Sequence, residues 1–259
     1  MLITGTILDL RPAGPEYFVL RAHAPQVVQH AAPGQFVMLQ GWGEQDPLLR
    51  RPFDFHRLDR EAGAFEVLFK VKGHGTAMIS RLRPGDPLSV LGPLGRPIPF
   101  HEAPKAVGLI GRGSGVSPMF TIAEEVRRRG GRSYALVSAR SPDRLLCVDE
   151  LRPFCQAVWT FTDDAGGGAA LRQALETLVR DEALDAVFTC GSNRLASLVA
   201  QLGQEGHFAG YAFMDAPMAC GVGTCKGCVC RVRRDGAGYR YALACLEGPV
   251  FPLSEVLIE

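Results

Sequence analysis

The spacing of cysteines near one end of the chain limits its folds more than any other sequence feature. Five of the eight cysteines lie in the last 40 of 259 residues, and four of them form the series Cys220-x4-Cys225-x2-Cys228, then Cys245 after sixteen residues. A secreted domain held by disulfides is usually shorter and spreads its cysteines more evenly. The crowding therefore indicates ligation of a metal ion or cluster.

The residues between these cysteines indicate what the loop can hold. Gly221, Gly223 and Gly227 let backbone amides turn toward bridging sulfides. The C-x4-C-x2-C…C order is the plant-type pattern of [2Fe–2S] ligands, whereas a structural zinc site is expected to show paired C-x2-C knuckles. The spacing favours a [2Fe–2S] cluster over zinc. Cys230 points to the opposite strand face from its neighbour, which indicates a packed thiol.

The first hundred residues contain short segments rich in apolar, β-branched and aromatic residues, separated by Pro, Gly and Asp. Six such segments and one helix, Thr76–Leu82, predict a small antiparallel β-barrel. The predicted strands are Leu2–Leu10, Tyr17–Ala22, Gln35–Gln40, Phe53–Leu58, Phe65–Val71 and Leu88–Leu91.

Beyond Pro97–Pro104 the pattern becomes a strand followed by a helix, four times over. Such repeats predict a doubly wound parallel α/β sheet that binds its ligand at the carboxyl ends of the strands. The predicted strands are Ala106–Ile110, Ser133–Ser138, Ala157–Thr162 and Ala186–Thr189, and the helices Pro118–Arg129, Cys147–Phe154, Ala170–Arg180 and Arg194–Leu202. Further on, Val229–Arg233 and Arg240–Ala244 flank Asp235-Gly236-Ala237-Gly238, which is typical of a β-hairpin.

Two segments of the predicted barrel are suited to a flavin nucleotide. An arginine in Arg51-Pro52-Phe53-Asp54 can pair with a diphosphate, while the residues after it lie along a planar ring. In Gly73-His74-Gly75-Thr76 a helix begins with free N–H groups that suit a phosphate. Each segment alone is also common as plain scaffold, and their combination favours a flavin site.

A glycine loop follows the first strand of the α/β region. Gly111, Gly113 and Gly115 lie between that strand and a helix, where a dinucleotide pyrophosphate binds. Cys190-Gly191, at the end of the fourth strand, belongs to the same sheet edge. Arg140 and Arg144 after the second strand suit either a 2′-phosphate of NADP or plain solvent exposure, so the motif leaves NAD and NADP open.

Composition argues against several classes of partner. A net charge of +1 gives no electrostatic basis for binding nucleic acid or an anionic membrane. No apolar run approaches the roughly 18 residues of a membrane span, and the N-terminus lacks the layout of a signal peptide. We therefore expect a cytoplasmic protein without a membrane span.

On these motifs the sequence resembles the electron-transfer subunits of bacterial class 1B dihydroorotate dehydrogenase, within the ferredoxin-reductase superfamily. The tail Leu246-Glu247-Gly248-Pro249-Val250-Phe251 is also similar to that family. The resemblance implies three sites. FAD would be bound by Arg51, Pro52, Phe53, Asp54, Lys70, Val71, Gly73, Gly75 and Thr76; NAD(H) or NADP(H) by Gly111, Gly113, Gly115, Cys190 and Gly191; and the [2Fe–2S] cluster by Cys220, Cys225, Cys228 and Cys245.

Three residues depart from the family pattern. Asp54 stands where the family has Ser or Thr near the flavin N5, and a carboxylate there disfavours an anionic reduced flavin or must itself take up a proton. Arg112 replaces a glycine of the nucleotide loop, and Ser192 replaces the proline of a Cys-Gly-Pro motif. These last two lie where the nicotinamide nucleotide would dock.

The resemblance also implies an activity and a domain layout. An FAD-binding barrel is expected at 1–98, a nucleotide-binding α/β domain at 99–212 and a [2Fe–2S] domain at 213–259. Electrons would pass from an FMN-containing dihydroorotate dehydrogenase subunit through the cluster and FAD to NAD+, with Asp54 and Cys190 beside the hydride path. The catalytic dihydroorotate site would lie on that partner, in a heterotetramer that serves pyrimidine biosynthesis.

Two other functions remain open from the sequence. The chain could be an NAD(P)H-dependent reductase subunit that supplies electrons to a non-pyrimidine partner. It could also be a non-enzymatic redox sensor whose nucleotide fold is vestigial, which only Arg112 and Ser192 support.

Overall fold

A computed structural model describes residues 1–43, 46–100, 104–206, 208–234 and 238–258. Residues 235–237 of the predicted hairpin turn lie outside the described residues. Within these ranges no helix is both long enough and apolar enough to cross a membrane.

The N-terminal part is a seven-stranded antiparallel sheet with the strand order β4-β3-β7-β1-β2-β6-β5. Its elements are β1 (Leu2–Gly14), β2 (Tyr17–His23), α1 (Pro25–His30), β3 (Phe36–Gln40), β4 (Arg51–Asp54), β5 (Arg57–Asp59), β6 (Ala64–Lys70), α2 (His74–Ile79) and β7 (Pro87–Leu94). The first and last strands in this order, β4 and β5, are consecutive in the chain. The sheet therefore curls until its two edges approach, as predicted for a barrel.

Two predictions in this region are wrong in detail. The single strand predicted at Phe53–Leu58 is two short strands, because the chain crosses there from one edge of the sheet to the other. β4 pairs with β3 and β5 pairs with β6, at opposite ends of the strand order. The helix predicted at Thr76–Leu82 runs from His74 to Ile79. It begins earlier because the Thr76 hydroxyl accepts hydrogen bonds from the N–H groups of Lys72 and Gly73, which precede the helix.

The central part is a parallel sheet with one antiparallel edge strand, in the order β10-β9-β8-β11-β12-β15. Its elements are β8 (Ala106–Arg112), α3 (Ser117–Arg128), β9 (Arg132–Ala139), α4 (Val148–Leu151), β10 (Ala157–Thr162), α5 (Gly167–Asp181), β11 (Ala186–Cys190), α6 (Asn193–Gly206) and β12 (Ala209–Phe213), with short 3-10 turns at Gly113–Val116, Pro142–Arg144, Arg152–Phe154 and Asp163–Ala165. The four predicted strand and helix pairs are confirmed.

Alternating residues of the central strands supply two apolar layers. Val107 and Leu109 of β8 belong to the layer on the face of the sheet covered by α3. Ala106 and Ile110 belong to the layer on the opposite face, which α5 and α6 cover. Helices on both faces define a doubly wound sheet, as the sequence predicts. The strand order reverses between β8 and β11, and ligands of open α/β sheets bind in the crevice at such a point.

The C-terminal part leaves this sheet and then returns to it. It contains the hairpin β13 (Val229–Arg233) and β14 (Tyr239–Leu243), the short helix α7 (Ala244–Glu247) and the strand β15 (Val250–Pro252). β15 pairs antiparallel with β12 through Tyr211–Pro252, Ala212–Phe251 and Phe213–Val250. The segment from 214 to 249 therefore connects two neighbouring strands of the central sheet.

Leu136 of β9 tests how strongly the central core contributes to stability. Its side chain is 0% exposed and packs in the layer under α5 and α6, whereas Leu48 is 74% exposed. We expect Leu136→Ala to lower the free energy of unfolding by about 2–5 kcal/mol through lost burial and a cavity. Leu48→Ala should change it by less than about 0.5 kcal/mol. Urea unfolding of both variants measures this, and equal effects would contradict the assigned core.

Candidate functional site

A cleft of about 260 Å³ opens where the barrel, the central sheet and the start of the C-terminal segment meet. Its walls include nine of the predicted cofactor residues: Arg51, Pro52, Phe53, Asp54, Lys70, Thr76, Gly115, Cys190 and Gly191. Val71, Gly73, Gly75, Gly111 and Gly113 belong to the segments that shape the cleft but are not in its walls. The fold thus brings together motifs that are far apart in the sequence.

On the barrel side, the Arg51 guanidinium lies against Gly75. A Cβ atom at Gly75 would be 2.8 Å from Arg51 Nε, so a larger residue there would displace the guanidinium. Arg51 donates hydrogen bonds to the carbonyls of Leu49 and Arg50 and stacks over Trp42, with 5.6 Å to the ring centroid. It forms no ion pair with any carboxylate in the described ranges. Its charge is consequently left for an anionic group in the cleft.

Thr76 organises the turn before α2. Its hydroxyl accepts hydrogen bonds from the N–H groups of Lys72 at 2.9 Å and Gly73 at 3.2 Å, and donates to the Gly73 carbonyl at 3.0 Å. The hydroxyl therefore stabilises the turn. The N–H groups at the start of α2 remain free to bind a phosphate.

The glycine loop meets the end of β11 backbone to backbone. A Cβ at Gly115 would be 2.8 Å from the Gly191 nitrogen and still closer to the Cys190 carbonyl. Gly191 itself has φ +91°, a conformation that side chains rarely adopt. Both positions therefore need glycine, and Cys190 lies beside the loop because its strand neighbours β8 at Gly111.

The two departures in this region are accommodated. Arg112 forms a bidentate ion pair with Asp163, with Nη2 to Oδ2 at 2.6 Å and Nη1 to Oδ1 at 3.2 Å. Its side chain is thereby held by the end of β10. The Ser192 hydroxyl accepts a hydrogen bond from the Leu195 N–H at 3.4 Å, at the start of α6. A serine thus caps this helix where the family has proline.

Two carboxylates and one thiol lie together in the cleft wall. Burial, with the nearby Asp215 carboxylate, raises the pKa of Asp54 to about 7. Burial and the two carboxylates raise the pKa of Cys190 well above its usual range. Sequence reasoning missed Asp215, because it follows β12 in a stretch without a motif. At neutral pH, Asp54 is therefore poised between its protonated and charged forms.

The four predicted cluster cysteines converge in the C-terminal segment. The Cys228 and Cys245 sulfur atoms are 3.1 Å apart and buried, whereas Cys220 is half-buried and Cys225 exposed. Backbone N–H groups of Cys225 and Val222 lie 3.4 Å from the Cys220 sulfur and lower the pKa of that thiol to about 7. Amides that point at sulfur are what a thiolate ligand requires.

The sulfur spacing bears on which inorganic group fits. No three of the four sulfur atoms, all in described residues, lie within 4.8 Å of one another. A single tetrahedral zinc ion with bonds of about 2.3 Å would hold its four sulfur ligands about 3.8 Å apart. The four sulfur atoms therefore do not form that compact tetrahedron in this structure. Cys230 packs in the apolar core at 7% exposure, as a packed thiol should.

Comparison with known proteins identifies the family. The iron-sulfur cluster binding domain of dihydroorotate dehydrogenase B matches residues 215–257, which include all four cysteines. The electron transfer subunit of dihydroorotate dehydrogenase B (NAD(+)) from Bacillus caldolyticus is 30% identical over 255 residues, covering 98% of this chain and 97% of that protein. This chain belongs to that family of electron transfer subunits. The family resemblance drawn from the cysteine spacing is confirmed.

Solved structures place the family in a wider fold group. The NADH-dependent reduced ferredoxin-NADP oxidoreductase, studied for flavin-based electron bifurcation, is 26% identical with a TM-score of 0.82, over 98% of this chain and 90% of that one. Phthalate dioxygenase reductase shares the fold at 17% identity and a TM-score of 0.65, over 89% and 86% of the two chains. The predicted ferredoxin-reductase-like fold is confirmed.

The cysteine assignment of this electron transfer subunit can be tested by paired substitutions. Cys228→Ser should abolish or strongly alter the EPR signal of the reduced cluster, because this buried sulfur is one of the four predicted ligands and lies 3.1 Å from that of Cys245. Cys230→Ser should leave the signal near normal, because Cys230 packs in the core. Loss of the signal in the Cys230 variant would overturn the ligand set.

The raised pKa of Asp54 makes a prediction about stability and pH. Between about pH 4 and 7 the folded chain keeps a proton on Asp54 that the unfolded chain releases, so this contribution to stability declines as pH rises. Asp54→Asn removes the effect, so the variant should gain stability over the wild type across this window, by at most about 1.4 kcal/mol per pH unit.

Urea unfolding of the cofactor-free chain at pH 5 and pH 8 measures this difference. Asp149→Asn is the control, because its carboxylate is 96% exposed. A stability difference between Asp54→Asn and the wild type that does not change with pH would contradict the assignment.

Proposed function

We propose that this chain relays electrons between NAD(H) and a partner dehydrogenase through one FAD and one [2Fe–2S] cluster. The partner is the FMN-containing catalytic subunit of dihydroorotate dehydrogenase, which carries the dihydroorotate site. The family of the chain supports this activity, and no second substrate site was evident from its sequence. The two chains assemble as a heterotetramer in the cytoplasm and serve pyrimidine biosynthesis.

One observation carries the proposal: the flavin, nicotinamide and cluster motifs adjoin a single cleft. Phe36 from the barrel and Met218, which lies just before the first cluster cysteine, both line this cleft. The loop that carries Cys220, Cys225 and Cys228 packs on the barrel beside the cleft, with Gly221 against Met38 and Leu94. Electron transfer needs its centres close together, and this packing places the three motifs around one cleft without a long linker.

The side chains of the cleft have distinct proposed roles. Arg51 binds the FAD diphosphate, and the turn at Gly75 and Thr76 binds it from the start of α2. FAD, when bound, exchanges a hydride with nicotinamide and passes electrons singly to a cluster. Asp54 and Cys190 lie beside the hydride path, and Asp54, with its pKa near 7, can hold or release a proton there.

The name of the relatives, dihydroorotate dehydrogenase B (NAD(+)), favours NAD(H) as the nucleotide. Gly111, Gly113 and Gly115 form the loop for its pyrophosphate, and Cys190-Gly191 adjoins that loop. Arg144 is paired with Glu16 at 3.8 Å, which disfavours its use for the 2′-phosphate of NADP. The redox-sensor alternative loses its support, because the ion pair of Arg112 and the cap by Ser192 leave the nucleotide loop intact.

The surface around the cluster suits a partner chain. Cys225 is exposed, and the apolar side chains of Val222 and Leu246 nearby are 45% and 48% exposed. Apolar groups beside the exposed side of an electron-transfer centre favour docking of a second protein there. We propose that the catalytic subunit binds over this side of the cluster.

We also propose the domain limits 1–98, 99–212 and 213–259 for the FAD, nucleotide and cluster modules. The barrel strands end at Leu94 and the central sheet begins at Ala106, which supports the first limit. The return of β15 to the central sheet means that the third module is tied to the second at both of its ends.

Stopped-flow reduction tests the nicotinamide half of the relay. NADH should bleach the bound flavin of the full chain, whereas Gly115→Ala should slow this at least tenfold, because a Cβ there meets the Cys190-Gly191 backbone. Dithionite should still reduce the flavin of the variant. Gly168→Ala is the matched control, because its nearest contact would be 3.7 Å from Arg194.

Failure of both NADH and NADPH to bleach a flavin that dithionite reduces would overturn the relay. Co-purification from the native cell, with identification of the bound flavoprotein, tests the partner. A non-pyrimidine dehydrogenase in that complex would favour the reductase alternative.

A further inference from the structure

A second group of potential ligands lies away from the cleft, between the barrel and the central sheet. His56 lies between β4 and β5, Cys147 immediately precedes α4, and Glu150 lies within it. One ligand atom from each residue lies within 4.8 Å of the other two. None of the three lines the flavin cleft. The group therefore needs an explanation of its own.

His56 is the buried member of this group. Its side chain is 0% exposed, and neither ring nitrogen has a partner at full hydrogen-bond geometry. The Phe120 ring lies 4.1 Å away, and the Ser117 backbone makes a weaker polar contact with the imidazole. At least one ring nitrogen is therefore left for a ligand, and a buried polar group without a partner destabilises the fold. Burial also lowers the pKa of His56 to about 3, so the ring is neutral, the form that binds metal ions.

Cys147 and Glu150 complete the group from the other side. Cys147 has φ +51°, a left-handed conformation that residues other than glycine rarely adopt. Such strain is commonly found at binding sites. Glu150 is 41% exposed and accepts a hydrogen bond from Arg11 at 3.0 Å through one oxygen only. Its exposure gives an ion a route in from solvent.

The charges around the group leave an excess of acid. Arg11 pairs with Glu150 and, at 3.7 Å, with Glu66, while Arg57 pairs with Glu124 at 3.0 Å. Three carboxylates thus face two guanidinium groups. A Glu66 oxygen is also buried without a hydrogen-bond partner. Together with the negative charge of the Cys147 thiolate, this surplus of negative charge would neutralise a divalent cation.

We propose that His56, Cys147 and Glu150 form a structural zinc site that joins the barrel to the nucleotide-binding sheet. One imidazole nitrogen, one thiolate and one carboxylate suit Zn²⁺, which accepts all three ligand types in a tetrahedron. The fourth position is filled by water at the exposed side. The ion gives the imidazole a ligand bond and crosslinks segments that are far apart in the sequence.

Zinc binding at this site releases one proton. A cysteine thiol is mostly protonated at neutral pH and must lose its proton to bind a metal ion. On binding, the S–H bond breaks, a Zn–S bond forms and the proton leaves to solvent. His56 is already neutral. Arg11, Arg57 and Glu66 also face these groups. Affinity should therefore rise about tenfold per pH unit between pH 6 and 8.

The test uses the full chain with its iron-sulfur cluster in place, stripped of other metals and titrated with Zn²⁺. We expect one zinc per chain, and zinc K-edge absorption with one sulfur at about 2.3 Å and lighter ligands at about 2.0–2.1 Å. Cys147→Ala should weaken zinc binding at least a hundredfold. Cys155→Ala is the matched control, because Cys155 is also half-buried, with a pKa raised to about 12, but lies outside the group.

Glu150→Gln provides a second variant on a partly exposed residue, should Cys147→Ala fail to fold. It should weaken zinc binding about tenfold with an unchanged cluster spectrum. A shell of four sulfur atoms would show that zinc had entered the cluster site instead. That result, the absence of stoichiometric zinc, or equal affinity in the Cys147 and Cys155 variants would overturn the proposal.

Discussion

One apolar cluster, to which all three parts of the chain contribute, holds the cleft in shape. Phe36 and Met38 from the barrel, Leu136 from the central sheet and Cys228 from the cluster segment belong to one buried group. Because protein interiors are close-packed, displacement of one part would leave cavities in the others. The three motifs therefore keep fixed positions relative to one another, as an electron relay requires.

The cluster cysteines divide into an inner and an outer pair across this core. Cys228 and Cys245 are 2% and 1% exposed, whereas Cys220 and Cys225 lie toward solvent. A two-iron core bound by these residues would have one iron on the protein side and one near the surface. Reduction potentials of such centres depend on solvent exposure and on hydrogen bonds to sulfur. This asymmetry agrees with a partner that docks on the outer side.

The sequence predicted the fold well where the local pattern and the final contacts agree. The four strand and helix pairs and the cysteine series were readable, because each depends on periodicity or spacing within a short stretch. The break at Phe55 and His56 was not, because it arises from curling of the whole sheet. The sequence also gave no sign of Asp215 beside Asp54 or of the Arg112 pair with Asp163. These contacts join residues that only the tertiary structure brings together.

The pairing of β12 with β15 has a consequence for the history of this architecture. The segment 214–249 leaves one strand of the central sheet and re-enters at the adjacent strand, so its two ends are only a strand spacing apart, about 4.8 Å. Inserted domains are tolerated best where their ends lie close together. A cluster module could thus be gained, lost or exchanged by recombination at the point where β12 and β15 pair, while the sheet and its flavin cleft persist.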